Sequence, residues 1–251
     1  MFGRFIPLPD FLYQSASTLL CYPATELTQE RIDELASLDV AGVYDFGSKR
    51  IGQWHCLGVG YCGLVLLVQF RGRTAALKVR RIGAPKDSFE MEAQGLAIAN
   101  QTQVGPQLLA HTPNFLVMSY ASGQPISDWL SEAPSRNIVL KVTQNLLTQA
   151  YRLDQAGLDH GNLRCVTRHV VVEDNQSTVL DFSSASCDRR CANVTTLTQG
   201  LFWGTVIAQQ MKDIGISPKK ENCIKQLRAY KQLSNFNNFN SLLSLLESPH
   251  D

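Results

Sequence analysis

The sequence has no excess of either charge: 23 Lys and Arg stand against 22 Asp and Glu, a formal net charge of +1. That balance provides no global field to recruit nucleic acid or an anionic membrane, so partner choice is local and nucleic acid is not an expected partner. Long apolar runs are lacking as well. The longest, around Leu64 to Val68, is strand-sized, far short of the roughly 18 residues that suggest a membrane span. The stretch MFGRFIPLPDFLYQ is broken by two prolines and an Asp before any signal-like apolar segment develops, which makes it a poor secretory signal. No membrane partner and a cytoplasmic location are the expectation.

Cysteine is sparse and unpatterned. There are seven, an odd number with no repeated spacing. Cys187 and Cys191 sit four apart, but a zinc site needs further ligands at matched spacing and the sequence offers none. Reduced, mostly structural thiols are expected. What is present is the composition of an ordinary globule, 44% hydrophobic and 18% charged, and 251 residues suit one large domain or two small lobes.

Residues 1–45 read as an N-terminal helical extension, clearest in Glu26 to Leu38, where Leu27, Ile32 and Leu35 recur at helical spacing. Gly42 and Gly47 punctuate the passage into a strand-rich region, 46–120. Leu64 to Val68, a turn at Arg71-Gly72-Arg73 and Ala75 to Val79 form a hairpin. A helix follows at about 88–100, then short strands at 107–111 and 115–119. Gly123 and Pro125 break the pattern before helices at about 127–132 and 136–156. Val170-Val171-Val172 and Val179-Leu180 supply a second, smaller β element, and 195–246 reads as helical. The expected architecture is α+β with two lobes, 46–120 β-rich and 121–251 mainly helical, joined near Ser119 to Gly123.

Several segments carry chemistry. Leu57-Gly58-Val59-Gly60-Tyr61-Cys62-Gly63-Leu64-Val65 places glycines where backbone can approach phosphates closely and free N–H groups can bond their oxygens. A strand follows the glycines rather than a helix, which fits a hairpin lid over a nucleotide and not a dinucleotide fingerprint. Lys78, within Ala75-Ala76-Leu77-Lys78-Val79, suits either an exposed face or a cleft face of its strand. On a cleft face it would neutralise phosphate and need a carboxylate partner, Glu92 or, second, Glu90. Asp181 follows a strand and precedes small residues, a place from which it could hold magnesium.

In their order, LGVGYCGLV, ALKVRR, FEMEAQGLAIAN, VGPQLL, NFLVMSYASGQPISDWL, LDHGNL, RHVVV, LDFSSAS and NVTTLTQ resemble the atypical RIO-like serine/threonine protein kinases of prokaryotes over roughly 28–203. The resemblance implies a bilobal protein kinase-like fold, ATP with Mg2+ or Mn2+ as cofactors, and an unknown protein substrate or partner. It implies that Gly58, Gly60, Gly63 and Val65 cover the nucleotide and that Lys78 and Glu92 hold its phosphates. Met118 would back the adenine pocket, Ser119 and Tyr120 would belong to the hinge, and Asp181 would bind metal.

The departures are specific. Where such a loop carries H-G-D, the chain has His160-Gly161-Asn162, and a carboxamide can bond a hydroxyl but cannot take its proton at neutral pH. Thr167, Arg168 and His169 occupy the region of the later metal ligand. Asp159 is a possible stand-in base that the turn is expected to point away, and His169 is expected to have a structural hydrogen-bonding role. General-base catalysis contributes roughly 10²- to 10⁴-fold, whereas the transition state depends chiefly on positioning and cations. The expectation is a slow phosphotransferase using Asn162, Lys78 and Asp181, with a nucleotide-binding pseudokinase as the alternative.

Overall fold

The computed structural model describes residues 2–13, 17–23 and 28–247. The chain is mixed α+β and divides into two compact units. The first comprises Met1–Ala97 with Pro106–Ala121, the second Ile98–Gly105 with Ser122–Asp251.

The first unit is built on a seven-stranded sheet and a separate two-stranded one. In chain order its elements are β1 (Arg4–Pro7), α1 (Leu8–Tyr13), α2 (Ser17–Leu20), α3 (Gln29–Ala36), β2 (Val40–Asp45), β3 (Lys49–Ile51), β4 (Trp54–Cys56), β5 (Gly58–Val59), β6 (Gly63–Phe70), β7 (Arg73–Arg80), α4 (Glu90–Gln101), β8 (Leu108–His111) and β9 (Phe115–Ser119). The main sheet runs β1-β2-β6-β7-β9-β8, with β5 also paired to β6, while β3 and β4 form the two-stranded one. β6 and β7 form the hairpin that the alternating apolar residues and Arg71-Gly72 predict. Both turn residues have positive φ, 47° and 74°, the backbone of a tight hairpin turn.

The register assigns the two faces of this sheet. Leu64, Leu66, Val68, Ala75, Leu77, Val79, Phe115 and Val117 join a buried cluster with Phe11, Leu19, Leu20, Leu35 and Trp54. Val65 pairs with Lys78, and Lys78 with Leu116, so these residues share the opposite face. Leu67 and Leu116 are fully buried on it, so β7 is covered on both sides and lacks the clean alternation that would have fixed the orientation of Lys78 from sequence.

Residues 1–45 are not a helical extension. Arg4–Pro7 and Val40–Asp45 are antiparallel strands of the main sheet, because Ile6, Val40 and Val43 bury side chains in the same core as the hairpin. Gly42 lies inside β2 rather than breaking the pattern; a Cβ there would run into the Ile6 carbonyl and the Phe5 ring, so glycine is what admits β1 to the sheet edge. The helix expected from Glu26 begins at Gln29, with the Thr28 hydroxyl accepting from the Arg31 N–H. Glu26 and Leu27 lie outside the described residues.

Arg31, 2% exposed, ties this region together. Its guanidinium donates to the carbonyl oxygens of Leu20 and Arg80 and to Asn114 Oδ1 at 2.9 Å. Asn114 in turn donates its backbone N–H and its Nδ2 to the Glu34 carboxylate, each at 2.6 Å. A single helix thus supplies the cation and the anion that fasten the loop before β9.

The second unit contains β10 (Gln124–Pro125), α5 (Ile126–Ser131), α6 (Arg136–Gln155), α7 (Val166–His169), β11 (Val170–Glu173), β12 (Gln176–Val179), α8 (Asn193–Phe202), α9 (Val206–Asp213), α10 (Lys220–Gln232) and α11 (Phe236–Glu247). α6 buries Val139, Val142, Leu146, Leu147, Ala150 and Leu153, the stripe of an amphipathic helix. β10, β11 and β12 make a small antiparallel sheet. α11 caps the unit, with Phe239 stacked on Tyr151 at 4.5 Å between ring centroids. Lys225, Arg228 and Lys231 of α10 are exposed while Cys223, Leu227 and Tyr230 are buried, the pattern of a solvated basic face. No described helix is long and apolar enough to cross a membrane.

Arg31→Ala is expected to destabilise the protein by about 3 kcal/mol, since it removes the Arg31 donor from the Leu20 and Arg80 carbonyls and leaves Asn114 Oδ1 with Arg80 Nε alone. Urea unfolding measures this, and a loss below about 1 kcal/mol would remove Arg31 as the tie.

Candidate functional site

Each unit carries its own constellation. In the first, the glycine-rich stretch is a tight hairpin: Gly58 pairs with Val65 and Val59 with Leu64, and the Gly60 N–H donates to the Gly63 carbonyl at 2.8 Å. The three glycines have different reasons for being small. A Cβ on Gly63 would collide with the Val79 carbonyl of the neighbouring strand, so packing demands glycine there. A Cβ on Gly58 would meet only Val65 Cγ2 at 3.9 Å, and one on Gly60 only the Gly63 carbonyl at 3.5 Å. The fold does not require glycine at 58 or 60.

Lys78 is buried on β7, and its Nζ donates to Glu92 Oε1 of α4 at 2.6 Å. The two side chains are 8% and 5% exposed, and the Phe89 ring lies 5.6 Å from the ammonium. The second-choice partner, Glu90, is exposed and contacts His111 at 3.2 Å instead. Removing both charges of a pair from water costs several kcal/mol per ion, and an apolar pair of similar volume is often as stable or more so. Stability alone is therefore a poor reason for this arrangement. Val65, half-buried, lies beside Lys78 in the same cross-strand row as Gly58, and Met118 is on the same face of the adjacent strand β9. Ser119 is engaged with Gln107, its hydroxyl accepting the Gln107 N–H and its own N–H donating to the Gln107 carbonyl, both at 2.8 Å. Tyr120 sits in an aromatic group with Phe2, 5.9 Å between centroids.

In the second unit, the loop 158–162 is held by a buried polar network. Asn193, fully buried at the start of α8, accepts the His160 N–H at 2.9 Å and donates to the Leu158 carbonyl at 2.7 Å and to Asp154 Oδ1 at 2.8 Å. Asp154 also accepts the Asn193 and Val194 N–H groups and the Tyr230 hydroxyl. Burial raises the Asp154 carboxyl above its usual range, with these bonds opposing the shift.

His160 is fully buried. Its Nδ1 accepts the Asn162 N–H at 3.4 Å and its Nε2 donates to the Leu180 carbonyl at 3.1 Å, so the ring is the neutral Nε2–H tautomer. Burial pushes its pKa down to about 4. His169 is buried beside it, 5.7 Å between ring centroids, with Nδ1 3.9 Å from Asp181 Oδ2. Asp181 has φ 65° and ψ 83° and accepts the Ser183 N–H. A left-handed backbone at a non-glycine residue costs free energy and clusters at functional positions. The Asp181 side chain is 40% exposed.

Asn162 Nδ2 donates to Ser184 Oγ at 2.9 Å. Asp159 does not stand in for the missing carboxylate. It is buried, its Oδ2 accepts Arg189 Nε at 2.9 Å and its Oδ1 faces the Ala192 N–H at 3.4 Å. Thr167 and Arg168 are exposed. Among the described residues, no three His, Cys, Asp or Glu side chains cluster as a metal site, and Cys187 and Cys191 are free thiols. A cation held by Asp181 would thus need phosphate oxygens and water to complete its shell, the mode that suits magnesium.

Sequence reasoning missed Asn193, Asp154, Tyr230 and Arg189. Asn at the start of a helix reads as a capping residue, and that ordinary signal hides a bond to a carboxylate 39 positions earlier.

A histidine kept neutral in the folded state withdraws stability as pH falls, because the unfolded chain binds the proton first. Between pH 6.5 and about 4, His160 is expected to remove about 3 kcal/mol of stability. Asp154 works in the opposite sense, so the contribution is read as the difference between wild type and His160→Gln in urea unfolding across that range. Equal pH slopes in both would show that His160 is not held neutral. No protein-family model matches the chain and no curated protein matches its sequence, so the reading of both constellations rests on their own chemistry.

Proposed function

We propose that the chain is an ATP-dependent phosphotransferase of the RIO-like protein kinase type, with a bilobal kinase-like fold, transferring the γ-phosphate of ATP to a protein hydroxyl. The observation that carries this reading is the buried Lys78–Glu92 pair at 2.6 Å, on the strand that follows a glycine hairpin whose Gly58 and Gly60 are not demanded by packing. An ion pair that stability does not explain is well suited to hold a lysine ready for phosphate. Bound ATP with Mg2+ or Mn2+ supplies the transferable group and the cation that neutralises it. On the protein side, the hairpin backbone and Val65 cover the nucleotide, Lys78 neutralises phosphate charge, and Glu92 fixes Lys78. Met118, Ser119 and Tyr120 receive the base. Asp181 holds the metal, and Asn162 binds the acceptor hydroxyl without taking its proton.

A specific observation favours the second reading, a nucleotide-binding pseudokinase. Asp159, the nearest carboxylate in sequence to Asn162, is committed to Arg189, so the loop offers no general base. The two readings share the nucleotide and differ in its fate.

Magnesium-dependent transfer of labelled γ-phosphate to dephosphorylated casein, with ATP binding followed by calorimetry, separates them. Transfer abolished by Lys78→Ala and by Asp181→Ala is the kinase outcome, and Asn162→Asp is then expected to raise the rate by roughly 10²- to 10⁴-fold. Binding without transfer in wild type is the pseudokinase outcome, and absence of binding sinks both. Gly60→Ala is expected to keep wild-type stability while weakening ATP binding, whereas Gly63→Ala destabilises the fold. Equal ATP affinity in wild type and Gly60→Ala would remove the hairpin from the nucleotide site.

A further inference from the structure

Cys187 and Cys191 belong to one short loop, and both ends of that loop rest on the same residue. At one end Ser186 forms an antiparallel bridge with Asp159, each N–H donating to the other's carbonyl at 2.9 Å. At the other the Ala192 N–H faces Asp159 Oδ1 at 3.4 Å. The two cysteines are the first residues inside these anchors. Between them the chain folds back. Arg189 donates through Nε to Asp159 Oδ2 at 2.9 Å and through Nη2 to the Ser184 carbonyl. The Asp188 N–H turns onto Ser186 Oγ at 3.1 Å, and Arg190 donates to the Lys231 carbonyl. In an extended chain, residues four apart are separated by about 14 Å, whereas a loop closed on Asp159 returns its ends toward each other.

The two thiols are unlike. Cys187 is exposed and Cys191 is half-buried. Burial, with the carboxylates of Asp154 and Asp159 and the Cys187 thiol adding to it, pushes the Cys191 thiol up to about 11. Cys191 is therefore protonated at neutral pH, and Cys187 is the thiol that an outside reagent meets first.

We propose that Cys187 and Cys191 are a redox modification site, which a small disulfide such as oxidised glutathione converts to an intramolecular bridge across the loop. The Cys187 thiolate attacks one sulfur of the reagent and breaks its S–S bond. A mixed disulfide forms, and one glutathione leaves, taking up the proton that Cys187 gave. Cys191 then loses its proton and attacks the Cys187 sulfur, and the second glutathione leaves with that proton. Two protein thiols are oxidised and one disulfide is reduced to two thiols. Arg189 lies inside the ring that closes, so the bridge fastens the segment that holds Asp159 and Ser184. The site does not depend on the phosphotransferase reading.

Arg189 and Arg190 make the test specific in position, because trypsin cuts between the two cysteines. The full chain is treated with glutathione disulfide at neutral pH, alkylated and digested. The Cys187 and Cys191 peptides are expected as one disulfide-linked pair that dithiothreitol separates. In Cys191→Ser, glutathione is expected to remain on Cys187; in Cys187→Ser, Cys191 is expected to stay unmodified. Glutathione retained on Cys187 in wild type, or Cys187 linked to Cys165 instead of Cys191, overturns the inference.

Phenylarsine oxide, whose arsenic takes two thiols at once with loss of water, checks the nearness of the pair without an oxidant. Wild type is expected to capture it through Cys187 and Cys191, and each single variant is expected to lose that capture. Equal capture by wild type and Cys191→Ser would show that the thiols are not paired and overturn the inference. Capture of the arsenical without the glutathione-driven bridge would overturn the redox assignment.

Discussion

The contact between Lys78 and Glu92 imposes more on its surroundings than any other in the first unit. Two opposite charges almost out of water survive only if each is held where the other is, since a displaced partner leaves an uncompensated buried ion. That requirement fixes the orientation of β7, because Lys78 must lie on the face of α4 and its neighbours Leu77 and Val79 must enter the other core. It fixes α4 as well, whose Phe89 N–H is pinned to the Pro113 carbonyl at 2.9 Å just before its first turn. The loop containing Pro113 is in turn fastened by Arg31 and Glu34 through Asn114. The N-terminal helix α3 therefore supports the ion pair at one remove.

The second unit solves a related problem with neutral groups. Asn193 and Asp154 have their polar atoms occupied by the loop, by the start of α8 and by Tyr230. A buried network of this kind is costly if any member is missing and rigid when complete. It sets the backbone at 158–160, and His160, neutral and bonded at both nitrogens, extends that order to Leu180 and so to the residue before Asp181. The strained backbone at Asp181 persists because its surroundings determine it: the strand before it is paired through Val179, and Phe182 after it is buried against His160 at 5.0 Å between rings.

How much of this was legible depended on whether a signal was local. The β6–β7 hairpin and the helices 127–132 and 136–156 were readable because periodicity and turn residues sit within each segment. The pairing of Lys78 with Glu92 rather than Glu90 was suggested by order along the chain, but the face of Lys78 was not, since β7 is buried on both sides. β1 was invisible. It is four residues long, only Ile6 of it is buried, and its place at the sheet edge depends on Gly42, which in isolation reads as a breaker. Asn193, Asp154 and Arg189 were missed for a different reason: their roles arise from contacts between residues 30 to 40 positions apart, and no local pattern encodes those.

On the phosphotransferase reading proposed for this chain, residue 162 is a neutral carboxamide where a carboxylate would act as base. A carboxylate there would add negative charge to a segment that already carries Asp159 and Asp181, and like charges at close quarters disfavour one another's ionisation. Asp159 is offset by Arg189 at 2.9 Å, and Asp181 lies 3.9 Å from His169 Nδ1. A carboxamide in place of a carboxylate adds no charge to that loop. On the proposed phosphotransferase reading, Asn162 would shift the demand away from proton abstraction and onto the orientation of the acceptor hydroxyl.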